Sequence, residues 1–118
     1  MNKYWEHFKT ITKHKIEVGK MCFKFGLFWQ GITHDLSKYS PTEFMSSARY
    51  FQGDKSPIEK EKEELGYSLA WAHHKGHNRH HWQHWVDWTN KDNKTYGTKM
   101  PYKYAIEAIC DWIGAGKE

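Results

Sequence analysis

Apolar residues return at three- and four-residue intervals along the first part of the chain. Tyr4, Phe8, Ile11, Val18, Cys22 and Phe25 fall on one stripe. That spacing predicts a helix over residues 3 to 25, ended by Gly26. His7 and His14 lie on the same stripe, so both imidazoles are expected to point inward, where an unpaired ring nitrogen is costly. A second helix is predicted over about 27 to 37, with His34 and Asp35 in its last turn. Ser40-Pro41-Thr42-Glu43 then reads as a helix start, with Ser as N-cap, Pro at the first position and Glu43 as the capping acid. Ser56-Pro57-Ile58-Glu59 repeats the signal and is expected to open a long helix to about 75, polar at first and apolar later. Gly76 and Asn78 mark a break, followed by a further helix over 79 to 89 and a polar loop over 89 to 99. Pro101 starts a last helix to about 113, with Tyr104, Ala108, Asp111 and Trp112 on or near one stripe. No stretch alternates convincingly with a period of two. The pattern predicts one all-α domain over residues 1–118, a bundle of five or six helices.

Composition refines this picture. The 118 residues are one domain's length, and 17% are aromatic, including seven Trp. A core of a few large rings is expected, with Trp71, Trp82, Trp85 and Trp88 facing inward. The 18 basic and 14 acidic side chains leave a net charge of +4, which suits anionic substrates such as phosphates. The basic residues are scattered, so nucleic acid is a less favoured partner. Cys22 and Cys110 are too few for a disulfide framework or a CxxC site, and reduced thiols in a cytoplasmic protein are the simplest account. No run approaches the roughly 18 apolar residues of a membrane span. The N-terminus is too charged for a secretory signal.

Nine His are the outlying number. In order, the chain offers His14, then His34-Asp35, then His73-His74, then His77 and His80-His81, then Asp111. Several lie on stripes that otherwise read as core. Imidazoles and carboxylates together neutralise and coordinate a divalent ion, which makes their burial tolerable. A carboxylate such as Asp35 can bridge two ions, and two ions can clamp a phosphoryl group. Lys38, one turn after Asp35, is placed to offset substrate charge, although a Lys at a helix end is also ordinary. His77, His81 and His84 share a face if the segment is helical. The stretch HHKGHNRHH also invites comparison with a nuclease finger, but that motif needs a hairpin before its helix, and the preceding residues look helical.

The ordered set resembles the HD-domain superfamily of metal-dependent phosphohydrolases, whose members carry an early His, an adjacent His-Asp and a late Asp in an all-α bundle. THDLSK is similar to the superfamily's His-Asp stretch, with Ser37 where Gly is frequent, and AICDW supplies the late Asp. Nearly the whole chain is similar to a family of short bacterial and phage proteins of unknown function that share HDLSKY…EF, AW..H…N.HHW and a terminal DW. The resemblance implies that His14, His34, Asp35 and Asp111 hold a first ion, and that Asp35 with His74, His80 and His81 holds a second. His7 stays open as an alternative to His14, and His73 to His74. The implied cofactors are one or two divalent transition metal ions (Fe, Mn, Ni or Zn). The implied activity is hydrolysis of a phosphate mono- or diester, most naturally a nucleotide, by a water activated on the ions, with Asp35 and Lys38 in catalytic roles. The Gly-Tyr-Pro segment of the cyclic-dinucleotide phosphodiesterases is absent. The same residues are compatible with a nucleotide-binding protein without turnover, or with a di-iron oxygenase. So short a chain leaves little room for a lid, which makes a homodimer partner a candidate for completing the pocket.

Overall fold

A computed structural model describes residues 2–53, 56–89 and 91–116. Helix α1 spans Lys3–Lys24, and the Asn2 side chain caps it by accepting from the amides of Tyr4 and Trp5 at 3.0 and 3.2 Å. Helix α2 spans Phe28–Thr33, α3 Pro41–Arg49, α4 Pro57–Leu65, α5 Leu69–His77 and α6 Tyr102–Gly116. Short 3₁₀ turns cover Leu36–Tyr39 and Trp82–Trp85. Strands β1 (Val86–Thr89) and β2 (Lys94–Gly97) form an antiparallel hairpin, with Val86 opposite Gly97. The class is all-α. Helix α1 is the central element, packed on α6, α2 and α3, while α3 also packs on α5.

Glycines let α1 approach its neighbours. A Cβ on Gly114 would lie 2.6 Å from Val18 Cγ2, and one on Gly31 would lie 2.7 Å from the Phe23 ring. Where α1 meets α6, Val18, Cys22 and Cys110 are buried together, edged by Met21, Leu27 and Ile106.

Several expected elements break. The helix expected over 27 to 37 stops at Thr33: His34 has left the helical region, with ψ 124°, and Asp35 is left-handed, with φ 55° and ψ 25°. Asp tolerates that conformation better than most residues. The break has a consequence for the side chains. Neighbours on a helix point about 100° apart, but here both His34 and Asp35 are buried, at 1% and 3% exposure. The helix expected over 56 to 75 divides at Gly66, left-handed with φ 82°, and restarts at Ser68, whose hydroxyl accepts from the Trp71 amide at 2.9 Å. The helix expected over 79 to 89 is a 3₁₀ turn running into β1, and the loop expected over 89 to 99 contains β2. The hairpin folds back around Asn93, left-handed with φ 57°.

The core differs in kind from the expectation. Its buried apolar residues are mostly small or medium: Ile11, Val18, Cys22, Ala48, Phe51, Ala70 and Cys110. Trp82 and Trp88 are 67% and 52% exposed, Trp71 and Trp85 are half-buried, and Tyr4, Phe8, Phe25 and Trp112 of the expected stripes are exposed. The reason is space: His34, Asp35, Glu43, His74, Asn78, His80 and Glu107 are all buried, and large rings are left to cover the outside.

Candidate metal centre

The His34-Asp35 break turns both side chains toward α1, α5 and α6. Lys15 of α1 holds the end of α2: its Nζ donates to the Ile32 carbonyl and, at 3.4 Å, to those of Gly31 and His34. Asp35 lies at the centre of the cluster, and its two carboxylate oxygens face different partners. Oδ2 is 3.7 Å from His14 Nε2, 3.3 Å from His34 Nε2 and 3.2 Å from Lys38 Nζ. Oδ1 is 3.4 Å from His74 Nε2 and 3.3 Å from His80 Nε2.

Two four-residue sets share Asp35. His14, His34, Asp35 and Asp111 form one, and Asp35, His74, His80 and His81 the other; in each, one ligand atom per residue lies within 4.8 Å of the rest. Asp111 Oδ1 is 2.6 Å from His14 Nε2 and 3.5 Å from His34 Nε2, and Asp111 Oδ2 is 3.7 Å from His80 Nε2. His74 and His81 meet Nε2 to Nε2 at 2.9 Å. All seven residues that the resemblance assigned to ions therefore converge. The alternatives separate as well. His7 is buried elsewhere, against the rings of Phe44 and Phe51. His73 turns to Glu43 and stacks on His77 at 3.9 Å.

Two buried carboxylates that the sequence reading did not place in the site hold the imidazoles. Glu107 Oε2 accepts from His34 Nδ1 at 2.8 Å and from His80 Nδ1 at 2.9 Å, so one carboxylate joins both sets. Glu43 accepts from His74 Nδ1 at 2.8 Å and from His73 Nδ1 at 2.5 Å. With Nδ1 engaged, His34, His74 and His80 each present Nε2 to the centre, the arrangement that orients metal-ligating imidazoles. Glu43 was expected as a helix cap. Its carboxylate is instead spent on histidines, and Ser40 makes no side-chain cap because its hydroxyl donates to the Ser37 carbonyl at 2.6 Å. Asn78 donates to Ser37 Oγ at 2.7 Å and to the His74 carbonyl at 2.8 Å, tying α5 to the His34-Asp35 segment. Glu107 was detectable as the residue one turn before Asp111. Glu43 was masked by its plausible place in a capping box.

Electrostatics keep the acids charged. Burial opposes ionisation of Asp35, but Lys38 and His34 hold its carboxyl well below the usual range. Burial is likewise outweighed at Asp111 by the neighbouring His14 and His34 imidazoles, and at Glu107 by His34 and His80, so both stay lowered. Burial disfavours the His34 imidazolium, yet Asp35, Asp111 and Glu107 push its pKa up to about 11. Burial beside His80 and His74 pushes His81 down to about 3. The raised His34 and His80 imidazoles balance the neighbouring carboxylates, and a divalent ion would take over that role.

The donor set fits such an ion. His34 Nε2, Asp35 Oδ1 and His80 Nε2 are buried without a hydrogen-bond partner among the described residues. Carboxylate and imidazole atoms 3.3–3.5 Å apart are spaced like ligands on a shared ion: tetrahedral ligands at roughly 2.1 Å from a metal lie about 3.4 Å from each other. The expected shared face of His77, His81 and His84 does not form, because the segment leaves the helix after His77; His77 and His84 turn instead to the carbonyls of His73 and Lys75. The His-rich stretch lies on α5 and the following turn, ahead of the hairpin, unlike a nuclease finger.

Fold and site together define an all-α protein built around a buried histidine and carboxylate cluster. Residues 3–118 match a family of unknown function (DUF5662), and the chain belongs to it. No curated protein and no solved structure matches.

Proposed function

We propose that this chain is an HD-type metal-dependent phosphohydrolase that acts on nucleotides, with two divalent ions held through Asp35. One observation carries the reading: the two oxygens of a buried carboxylate face two separate ligand sets, each of which includes a buried, unpartnered imidazole nitrogen. Bound Fe, Mn, Ni or Zn would supply Lewis acidity and a water of lowered pKa. The chain's own residues do the rest. Asp35 spans the two sets, Glu107 and Glu43 fix the imidazole orientations, and Lys38, half-buried and 3.2 Å from Asp35 Oδ2, meets a phosphate oxygen. In the reaction a water oxygen bonds to phosphorus, the ester P–O bond breaks, and the leaving oxygen takes a proton, so that one water is consumed per alcohol and phosphate formed.

The reading also places the protein in the cytoplasm, where the free thiols of Cys22 and Cys110 stay reduced. No helix among the described residues is long and apolar enough to cross a membrane. The deciding experiment is metal content by mass spectrometry on untagged protein, beside Asp35→Ala and Asp111→Ala, followed by nucleotide hydrolysis assays. Stoichiometric metal lost in both variants, with phosphate release in the parent, is the expected result. Metal-free protein after reconstitution, or tight nucleotide binding without turnover, would overturn it.

A further inference from the structure

A cavity of about 380 Å³ opens beside the cluster. Part of its wall is Lys38, Glu43 and His74, which belong to the site. Another part is apolar, with Ile11, Phe51 and Ile58 among the lining residues. His7 also lines it. That ring is 5% exposed, and its Nδ1 is buried without a partner among the described residues. It packs on Phe44 and Phe51 at centroid distances of 5.3 and 5.8 Å. An unpaired buried nitrogen is costly, and a ligand seated in the cavity lies against the ring that carries it. A second cavity of similar volume lies against His80 and Glu107. Glu107 holds the Nδ1 side of the imidazoles, away from the Nε2 atoms that face Asp35, so that cavity is the weaker candidate.

We propose that the His7 cavity is the subsite for the organic part of a phosphate monoester, a single ring system of nucleoside size whose polar edge pairs with His7 while Phe51 and Ile58 pack on its apolar surface. The inference rests on the phosphohydrolase reading for the position of the phosphate, at Lys38. Ligand pockets commonly run from about 300 to 1,000 Å³. This cavity is near the low end, the size of one nucleoside. His7 is then a specificity residue, selecting ring-bearing monoesters over aliphatic ones and over dinucleotides.

The test uses the metal-loaded full chain, with adenosine monophosphate, glycerol phosphate and a diadenosine dinucleotide as substrates and adenosine alone as a binding probe in calorimetry. Variants are His7→Leu, which removes the ring nitrogens, and Ser47→Leu, which fills the cavity from a half-buried wall position. We expect a preference of at least about tenfold in kcat/KM for adenosine monophosphate over the other two. Loss of one hydrogen bond predicts that His7→Leu shrinks that preference about three- to tenfold and weakens adenosine binding by a similar factor. Ser47→Leu should act in the same direction, and it decides the matter if His7→Leu does not fold. Unchanged preference and unchanged adenosine binding in both variants would overturn the subsite while leaving the hydrolase reading intact. Adenosine binding that both variants weaken, with no ester hydrolysed at all, would keep the subsite and overturn the hydrolase. Failure of adenosine and adenosine monophosphate to bind the unaltered protein would overturn the subsite.

Discussion

The two halves of the cluster are built differently. His14 and Asp111 come from the two longest helices, α1 and α6, which pack together through Val18, Cys22, Cys110 and Gly114. His74, His80 and His81 come from the nine-residue helix α5 and the irregular turn after it. The first half takes ligands far apart in sequence and relies on helix packing to bring them together. The second takes ligands close in sequence and relies on side-chain bonds, from Glu43 to His74 and from Asn78 to Ser37, to hold a segment with little regular structure. Asp35 and Glu107 each hold residues of both halves. On the proposed two-ion reading, the first half should be preorganised before an ion binds, and the second should gain order on binding one.

The largest expected effect comes from the shared residue. Asp35→Ala should remove both ions and abolish turnover, measured as metal per chain and phosphate release; an intact complement of either ion would show that the halves are independent. Next, His81→Ala should lower metal stoichiometry by one ion while Asp111→Ala disturbs both, because Asp111 also approaches His80 at 3.7 Å. Titration of each variant followed by mass spectrometry reads the difference. Glu107→Gln keeps the shape but weakens the acceptor for His34 and His80. It should lower affinity about 10- to 100-fold at both positions, whereas Glu43→Gln should do so only at the second, as competition with a chelator would report.

The scaffold of the first half is tested by Gly114→Ala, whose new methyl meets Val18. The expected cost is about 1–3 kcal/mol, seen as a lower melting temperature. The remaining effect concerns pH. Burial, with Lys38 nearby, lowers His7 from 6.5 to about 4. Between those values the unfolded chain binds the proton and the folded chain does not, so stability falls as pH drops from about 6.5 toward 4. Melting temperatures across that window should slope less steeply in His7→Leu than in the parent.

Much of the site's membership was legible in the chain, because imidazoles and acids on otherwise apolar helical positions have few reasons to be there. His14 and Asp111 are of this kind. The supporting carboxylates were harder. Glu107 and Glu43 look like ordinary surface or capping acids until the folded chain places each within 3 Å of two imidazoles. The fold class was readable from three- and four-residue periodicity. The breaks at Asp35 and Gly66 and the hairpin at Val86 were not, because a local pattern carries no record of which backbone bonds a neighbouring element will satisfy.

By itself, then, the sequence determined an all-α chain with a set of metal-type ligands in a particular order, since periodicity and residue chemistry are local properties. Tertiary structure decided the rest: that His14 rather than His7 joins the cluster, that His74 rather than His73 does, and that the two oxygens of Asp35 face opposite ligand sets. Those choices depend on which faces of α1 and α5 turn toward Asp35 and its left-handed turn, and only the packed backbone sets that geometry.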